Sequence, residues 1–257
     1  MATENVFFQS SGKVTLTAMV SAACAADAAS IMRRAAKEGA EAFYLQLDLL
    51  PRSERNESCL RPLMAAAQGR PVIVTAYRFF DSSLTEEESA QLLLLGLRCG
   101  ATVCDVMGDL FAPAEDQLTF EPQAVQRQEA LFETIHARGG HVLISSHLSR
   151  HFSEEEIYAY AREQERRGAD ILKIVSKCND ETELLQDLRI AAGLKHVVSK
   201  PYLFLGNGAC SRFLRLMGPL LGQCMYLAVE RHTTLDFPEQ PLLSDARQIR
   251  ETMLKGL

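Results

Sequence analysis

The sequence lacks several things, and each absence removes a class of protein. Its seven cysteines, at 24, 59, 99, 104, 178, 210 and 224, form no Cys-x-x-Cys pair and no metal-ligand spacing. They read as reduced, mostly buried thiols of a cytosolic protein, not as a disulfide framework or a zinc site. No apolar stretch reaches the length of a membrane span, and no signal peptide is visible. Basic residues do not cluster, and the formal net charge is -6, so nucleic acid and anionic membranes are poor partners. No stretch rich in Gly, Ser or Pro divides the chain, which argues for one domain.

What is present is an alternation of strands and helices. The 257 residues, 47% of them hydrophobic, can bury a large core. Strands are expected at Lys13–Val20, Ala42–Asp48, Arg70–Arg78, Ala101–Asp105, His141–Ser146, Gly168–Ser176, Tyr202–Leu205 and Met225–Ala228. Helices are expected between them and after the last, the final one from about Ser244 to Lys255. Thr85 with Glu88 and Ser153 with Glu156 are spaced as capping boxes that open two of these helices. The segment from Gly108 to Glu121 is longer than an ordinary connection and has loop composition. Eight such units, one per ~32 residues, point to an α/β fold, a (β/α)8 TIM barrel in a single domain over residues 13–257; a doubly wound open sheet is the runner-up. Glu4-Asn-Val-Phe-Phe-Gln-Ser10 is like a protease-cleavage tag with two changes, so residues 1–12 are read as a leader or a tag remnant.

In a barrel, chemistry belongs at the carboxyl ends of the strands. The polar residues there are Asp48, Arg78, Asp105, His147 and Lys173 with Ser176, joined by loops that carry Arg212 and Gln240. Lys173 sits inside an apolar run. A lysine there either packs its stem inward and reaches water with its head, or has a lowered pKa and a neutral amine able to attack a carbonyl. His147, on the neighbouring strand, is either a helix-entry residue or a base with a pKa near neutrality. Together they are the minimum set for imine chemistry. Asp48 and Asp105 could equally cap helices. Arg78 and Arg212 are surface ion pairs or carboxylate receptors, and Ser211-Arg212 at a helix start favours an anion. Gly206-Asn-Gly208 has no third glycine and is a weak phosphate signal.

Four motifs, in order and spacing, resemble type I 3-dehydroquinate dehydratase, the Schiff-base enzyme of the shikimate pathway: Ile144-Ser-Ser-His147, Gly168-Ala-Asp-Ile-Leu-Lys173-Ile, Gly206-Asn-Gly-Ala-Cys-Ser-Arg212 and Pro238-Glu-Gln240. Thr75-Ala-Tyr-Arg78 is similar to the family's Thr-Phe-Arg. The resemblance runs from about Lys13 to the final helix and implies an eight-stranded barrel that removes water from 3-dehydroquinate or a related carboxylated hydroxyketone. It implies Lys173 as the imine lysine and His147 as general acid and base. Arg212 and Gln240 would hold the carboxylate, and Arg78 with Gln46 or Tyr44 would face the hydroxyls. It implies no metal or organic cofactor and a cytoplasmic biosynthetic enzyme; a homodimer is left open.

Three departures stand out. The family's Glu-x-Arg-x-Asp in strand two reads Tyr44-Leu-Gln46-Leu-Asp48, keeping only the aspartate. Its glutamate after the strand-three arginine, which helps orient the histidine, is missing from Phe79-Phe-Asp81-Ser82-Ser83. Asp236 and Glu239 replace a serine and a glycine in the last loop. These changes leave two alternatives: an aldolase-like imine enzyme acting on another ketone, with Tyr44 as a phenol donor, or a non-catalytic binder of dehydroquinate or quinate.

Overall fold

A computed structural model describes Phe7 and residues 14–253. The sequence-based leader, apart from Phe7, and the end of the expected last helix at Lys255 lie outside the described residues. Phe7 itself is buried among side chains of the barrel interior.

The strands are β1 (Thr15–Val20), β2 (Ala42–Gln46), β3 (Val72–Thr75), β4 (Val103–Met107), β5 (His141–His147), β6 (Ile171–Lys177), β7 (Tyr202–Asn207) and β8 (Met225–Val229). The helices are α1 (Ala25–Glu38), α2 (Glu57–Ala65), α3 (Glu86–Cys99), α4 (Pro122–Ala137), α5 (Glu154–Arg166), α6 (Glu181–Leu194), α7 (Ser211–Met217) and α8 (Leu243–Met253). All the strand pairs are parallel, in the order β7-β6-β5-β4-β3-β2-β1-β8. The two end strands of this order, β7 and β8, meet where Cys224 N–H donates to Tyr202 O, so the sheet curls round on itself as a barrel and the doubly wound alternative is excluded.

Strand periodicity of two divides the core. Residues such as Tyr44, Ile73, Val103, Leu143, Ile171, Leu203 and Leu227 form the barrel interior. Their neighbours, Phe43, Val74, Cys104, Ile144, Leu172 and Phe204, pack outward against the helices. Both capping boxes form. Thr85 N–H donates to Glu88 Oε2 at 2.9 Å and Glu88 N–H to Thr85 Oγ1 at 3.1 Å. The Ser153 and Glu156 pair closes in the same way.

The seam between β7 and β8 is made differently from the other seven. The Cys224 N–H donates to Tyr202 O at 3.0 Å. Beyond that, the side-chain amide of Gln223 replaces a strand: its Oε1 accepts from Phe204 N–H at 3.3 Å and its Nε2 donates to Phe204 O at 2.7 Å.

Gly206 and Gly208 are required by close packing. A Cβ on Gly206 would lie 2.7 Å from Ser211 Cβ, and one on Gly208, whose φ is +128°, 2.7 Å from Cys178 O. The seven cysteines are free thiols, three of them buried and four half-buried. No helix among the described residues is long and apolar enough to cross a membrane.

Candidate active site

Lys173 lies in the middle of β6, in register with Ser145 of β5 and Leu203 of β7, and points into the barrel. Its backbone is fixed by Gln164 of α5. That side chain accepts from Lys173 N–H at 3.2 Å and donates to Lys173 O at 3.1 Å. The ammonium is only 3% exposed. It donates to Tyr44 Oη at 2.7 Å, Tyr77 Oη at 2.8 Å and Asp105 Oδ2 at 3.3 Å. Both phenols also donate to the same Asp105 oxygen in short hydrogen bonds.

This cluster corrects the expectation of a neutral amine. Burial, the largest single influence, pulls the Lys173 pKa down, but Tyr77 and Asp105 outweigh it and the net direction is up. Asp105's own burial pushes its carboxyl up, towards the neutral acid, while Lys173 pulls it down. Three donors converge on Asp105 Oδ2, which favours the ionised carboxylate as the buried counter-ion of the ammonium. A buried lysine escapes deprotonation when its counter-ion is buried with it.

His147, the last residue of β5, is held by Gln117. The Gln117 Oε1 accepts the His147 backbone N–H at 3.1 Å and lies 2.8 Å from His147 Nδ1. A backbone N–H can only donate, so the atom at that position is the amide oxygen and Nδ1 must carry the proton. The lone pair is therefore on Nε2. Burial, then the positive charges of Lys173, Arg215 and Lys177, hold the imidazole well below the usual histidine range. It is a neutral base at pH 7.

Gln117 comes from the long β4–α4 segment, which the sequence left without a role. The segment is anchored at several points. Gln128 donates to Gly108 O and Leu110 O, and Arg167 to Gly108 O and Thr119 O. Ser146 Oγ donates to Gln117 O at 2.8 Å. Gln117 sits at φ +49°, which turns its side chain back over the strand end.

Lys173 and His147 open into one cavity of about 320 Å³ at the carboxyl ends of the strands. Gln46 and Gln240 also line it, as do Tyr77, Gln117, Lys177, Asn207 and Arg215, with Phe79, Phe80 and Phe237 round the rim. No carboxylate is among the described lining residues, so the wall presents cations, amides and aromatic rings. The Gln46 oxygen accepts from Ser21 Oγ at 2.6 Å, and the Gln240 oxygen from Phe237 N–H at 3.0 Å. Both glutamines thus keep an amide NH2 for a ligand.

Four residues expected at the site are placed elsewhere. The Arg78 guanidinium is divided between Glu86, at 2.9 and 2.8 Å, and Asp109, at 3.0 and 2.9 Å, and does not line the cavity. Arg212 is exposed on α7, where it donates to Pro238 O at 2.6 Å and so braces the loop that carries Gln240. Tyr44 is fully buried beneath Lys173 and cannot reach a ligand, which removes the reason for reading it as a substrate-facing phenol. Asp48 lies outside the cavity, and burial pushes its pKa up to about 7.

Arg215, one helical turn after Arg212, was not anticipated. It is 6% exposed, its Nε donates to Gly206 O at 2.8 Å, and it lines the cavity. Burial lowers its pKa to about 10. Of the acids that replace a serine and a glycine in the last loop, Asp236 is occupied by the Thr233 N–H and hydroxyl. Neither Asp236 nor Glu239 faces the cavity.

The arrangement is a buried lysine, an imidazole with a fixed tautomer and a buried arginine on one pocket. The family model for type I 3-dehydroquinase matches residues 17–256. A 3-dehydroquinate dehydratase from Methanosarcina barkeri is 24% identical over 238 residues, covering 87% of this chain and 89% of that protein. Among solved structures, the 3-dehydroquinate dehydratase of Geobacillus kaustophilus superposes with a TM-score of 0.81 at 17% identity, over 95% of this chain and 92% of that one. The type I enzyme of Clostridium difficile, solved with covalently modified comenic acid, gives 0.79 at 14% identity, over 96% and 95%. A match across nearly the whole chain, on a barrel of this topology, makes this protein a member of the type I 3-dehydroquinase family, a family of hydro-lyases.

Proposed function

We propose that this protein dehydrates 3-dehydroquinate, or a closely related carboxylated hydroxyketone, through an imine on Lys173. One observation carries the reading: Lys173 and the unprotonated Nε2 side of His147 share a cavity whose described wall contains cations and no carboxylate. Such a wall suits a substrate that is itself an anion.

The lysine nitrogen bonds to the ketone carbon, and the ketone oxygen leaves as water. The resulting iminium withdraws electrons and makes the adjacent C–H acidic. His147 Nε2 takes that proton and passes it to the departing β-hydroxyl, so a second water is lost from carbon. Water then hydrolyses the conjugated iminium and returns Lys173. Arg215 takes the substrate carboxylate, the role sequence assigned to Arg212, with the Gln240 amide beside it; Gln46 faces the hydroxyls. The reaction belongs to the cytoplasm, and neither metal nor organic cofactor enters it.

Borohydride added during incubation with 3-dehydroquinate is expected to increase the mass of the chain by the reduced substrate, at Lys173. Lys173→Met should take up none, and the absorbance of a conjugated enone should rise only with the lysine present. A wild-type chain that traps neither dehydroquinate nor any small ketoacid would refute imine chemistry here.

A further inference from the structure

Two of the groups on the Lys173 nitrogen are tyrosines, at positions where the family pattern described above carries other residues: Tyr44 for a glutamate, and Tyr77 for the phenylalanine before arginine. Their placements differ. Tyr44 and Asp105 are sealed below the nitrogen, whereas Tyr77 is part of the cavity wall. The Tyr77 hydroxyl is 2.8 Å from Lys173 Nζ, hydrogen-bonded to Asp105 Oδ2, 3.2 Å from Tyr44 Oη and 3.3 Å from Ser145 Oγ. Its ring meets His147 edge-on at 5.2 Å between centroids. Among the three partners of the ammonium, it alone touches both the nitrogen and the space a ketone would occupy.

We propose that Tyr77 is the catalytic acid and base for making and breaking the bond to Lys173, so that His147 is reserved for carbon. The inference rests on the imine reading above. An ammonium cannot attack until it loses a proton. Tyr77 Oη takes one from Nζ as it hands its own to Asp105 Oδ2. The freed nitrogen pair forms the C–N bond, and the carbonyl π pair moves to oxygen. That oxygen receives the proton back through Tyr77. The second nitrogen proton follows the same route to the hydroxyl, the C–O bond breaks with loss of water, and the nitrogen pair closes the C=N bond. Of the three ammonium protons, two leave in water and one stays on the iminium, so no outside acid or base is consumed. His147 makes no hydrogen bond to Lys173 Nζ among the described residues, whereas Tyr77 does, so the phenol and not the imidazole is in place to move the nitrogen's protons.

Tyr77→Phe removes one oxygen from an otherwise unchanged ring. With 3-dehydroquinate and cyanoborohydride, its initial rate of adduct formation is expected to fall 10²-fold or more below wild type. The isotope effect from deuterium at the carbon that loses its proton should disappear from kcat, because imine formation then limits turnover. His147→Gln should lose dehydration but still give the adduct. Tyr44→Phe also removes a bond to Nζ but nothing from the cavity wall, and should slow trapping much less. Difluorotyrosine at position 77, a more acidic phenol of similar volume, should move the pH profile of trapping to lower pH. Equal losses in the two phenylalanine variants, or an unmoved difluorotyrosine profile, would overturn the role of Tyr77 while leaving the imine reading in place. A wild-type chain without any adduct would defeat both.

Discussion

At the scale of the residue, the site depends on which atoms are left unoccupied. Gln117 commits Nδ1 of His147 and so frees Nε2. An amide there fixes the tautomer but adds no charge, whereas a carboxylate would also stabilise the imidazolium. Gln117→Glu is therefore expected to raise the His147 pKa and carry the acid limb of the kcat/KM profile up by about one pH unit; a profile of kcat/KM carried down to about pH 3 measures it. The two arginines of α7 separate on the same logic. Among the described residues Arg215 has one hydrogen-bond acceptor and borders the cavity, while Arg212 is exposed and bound to Pro238 O. Truncating one member of a buried charge-assisted contact costs about 2–5 kcal/mol, so Arg215→Gln should raise KM for dehydroquinate about 10²-fold, and Arg212→Gln much less. Sequence singled out Lys173 and His147 because the order of their motifs is local. It missed Arg215, whose helix rotation selects one arginine of two, and Gln117, which no pattern marks.

At the scale of the element, the helix starts were legible because a capping box lies within four residues of sequence, and both boxes formed as spaced. The β4–α4 segment was legible only as long. Its course depends on Gln128 and Arg167, which stand on other elements. The turn after β2 hides a second consequence of burial. Asp48 has a folded pKa of about 7 against an unfolded value near ~3.9. Its folded state therefore holds a proton that the unfolded chain has released. The stability this contributes is complete below pH ~4 and is lost as the pH rises to about 7. Asp48→Asn should flatten that part of the stability curve and make the protein more stable at pH 8, by at most about 4 kcal/mol. Urea denaturation at pH 5 and pH 8 checks the sign, and an unchanged difference between the two would count against it.

At the scale of the whole molecule, the barrel could be read from eight repeats of one alternation, since each apolar strand must be covered on both faces. The place where the sheet is weakest could not be read, because it is set by a side chain. Seven neighbouring pairs are joined by backbone ladders; β7 and β8 depend chiefly on Gln223. Gln223→Ala should speed amide exchange at Phe204 by 10-fold or more while exchange in β1 and β6 changes little, as hydrogen-exchange mass spectrometry would show. Because β8 is laced to β1, this gap falls one unit before the chain's last strand. Topologically, β8 with α8 acts as the opening repeat and β7 as the closing one. A chain rejoined head to tail and cut ahead of Cys224 would begin and end where the hoop is already parted, with every ladder spared.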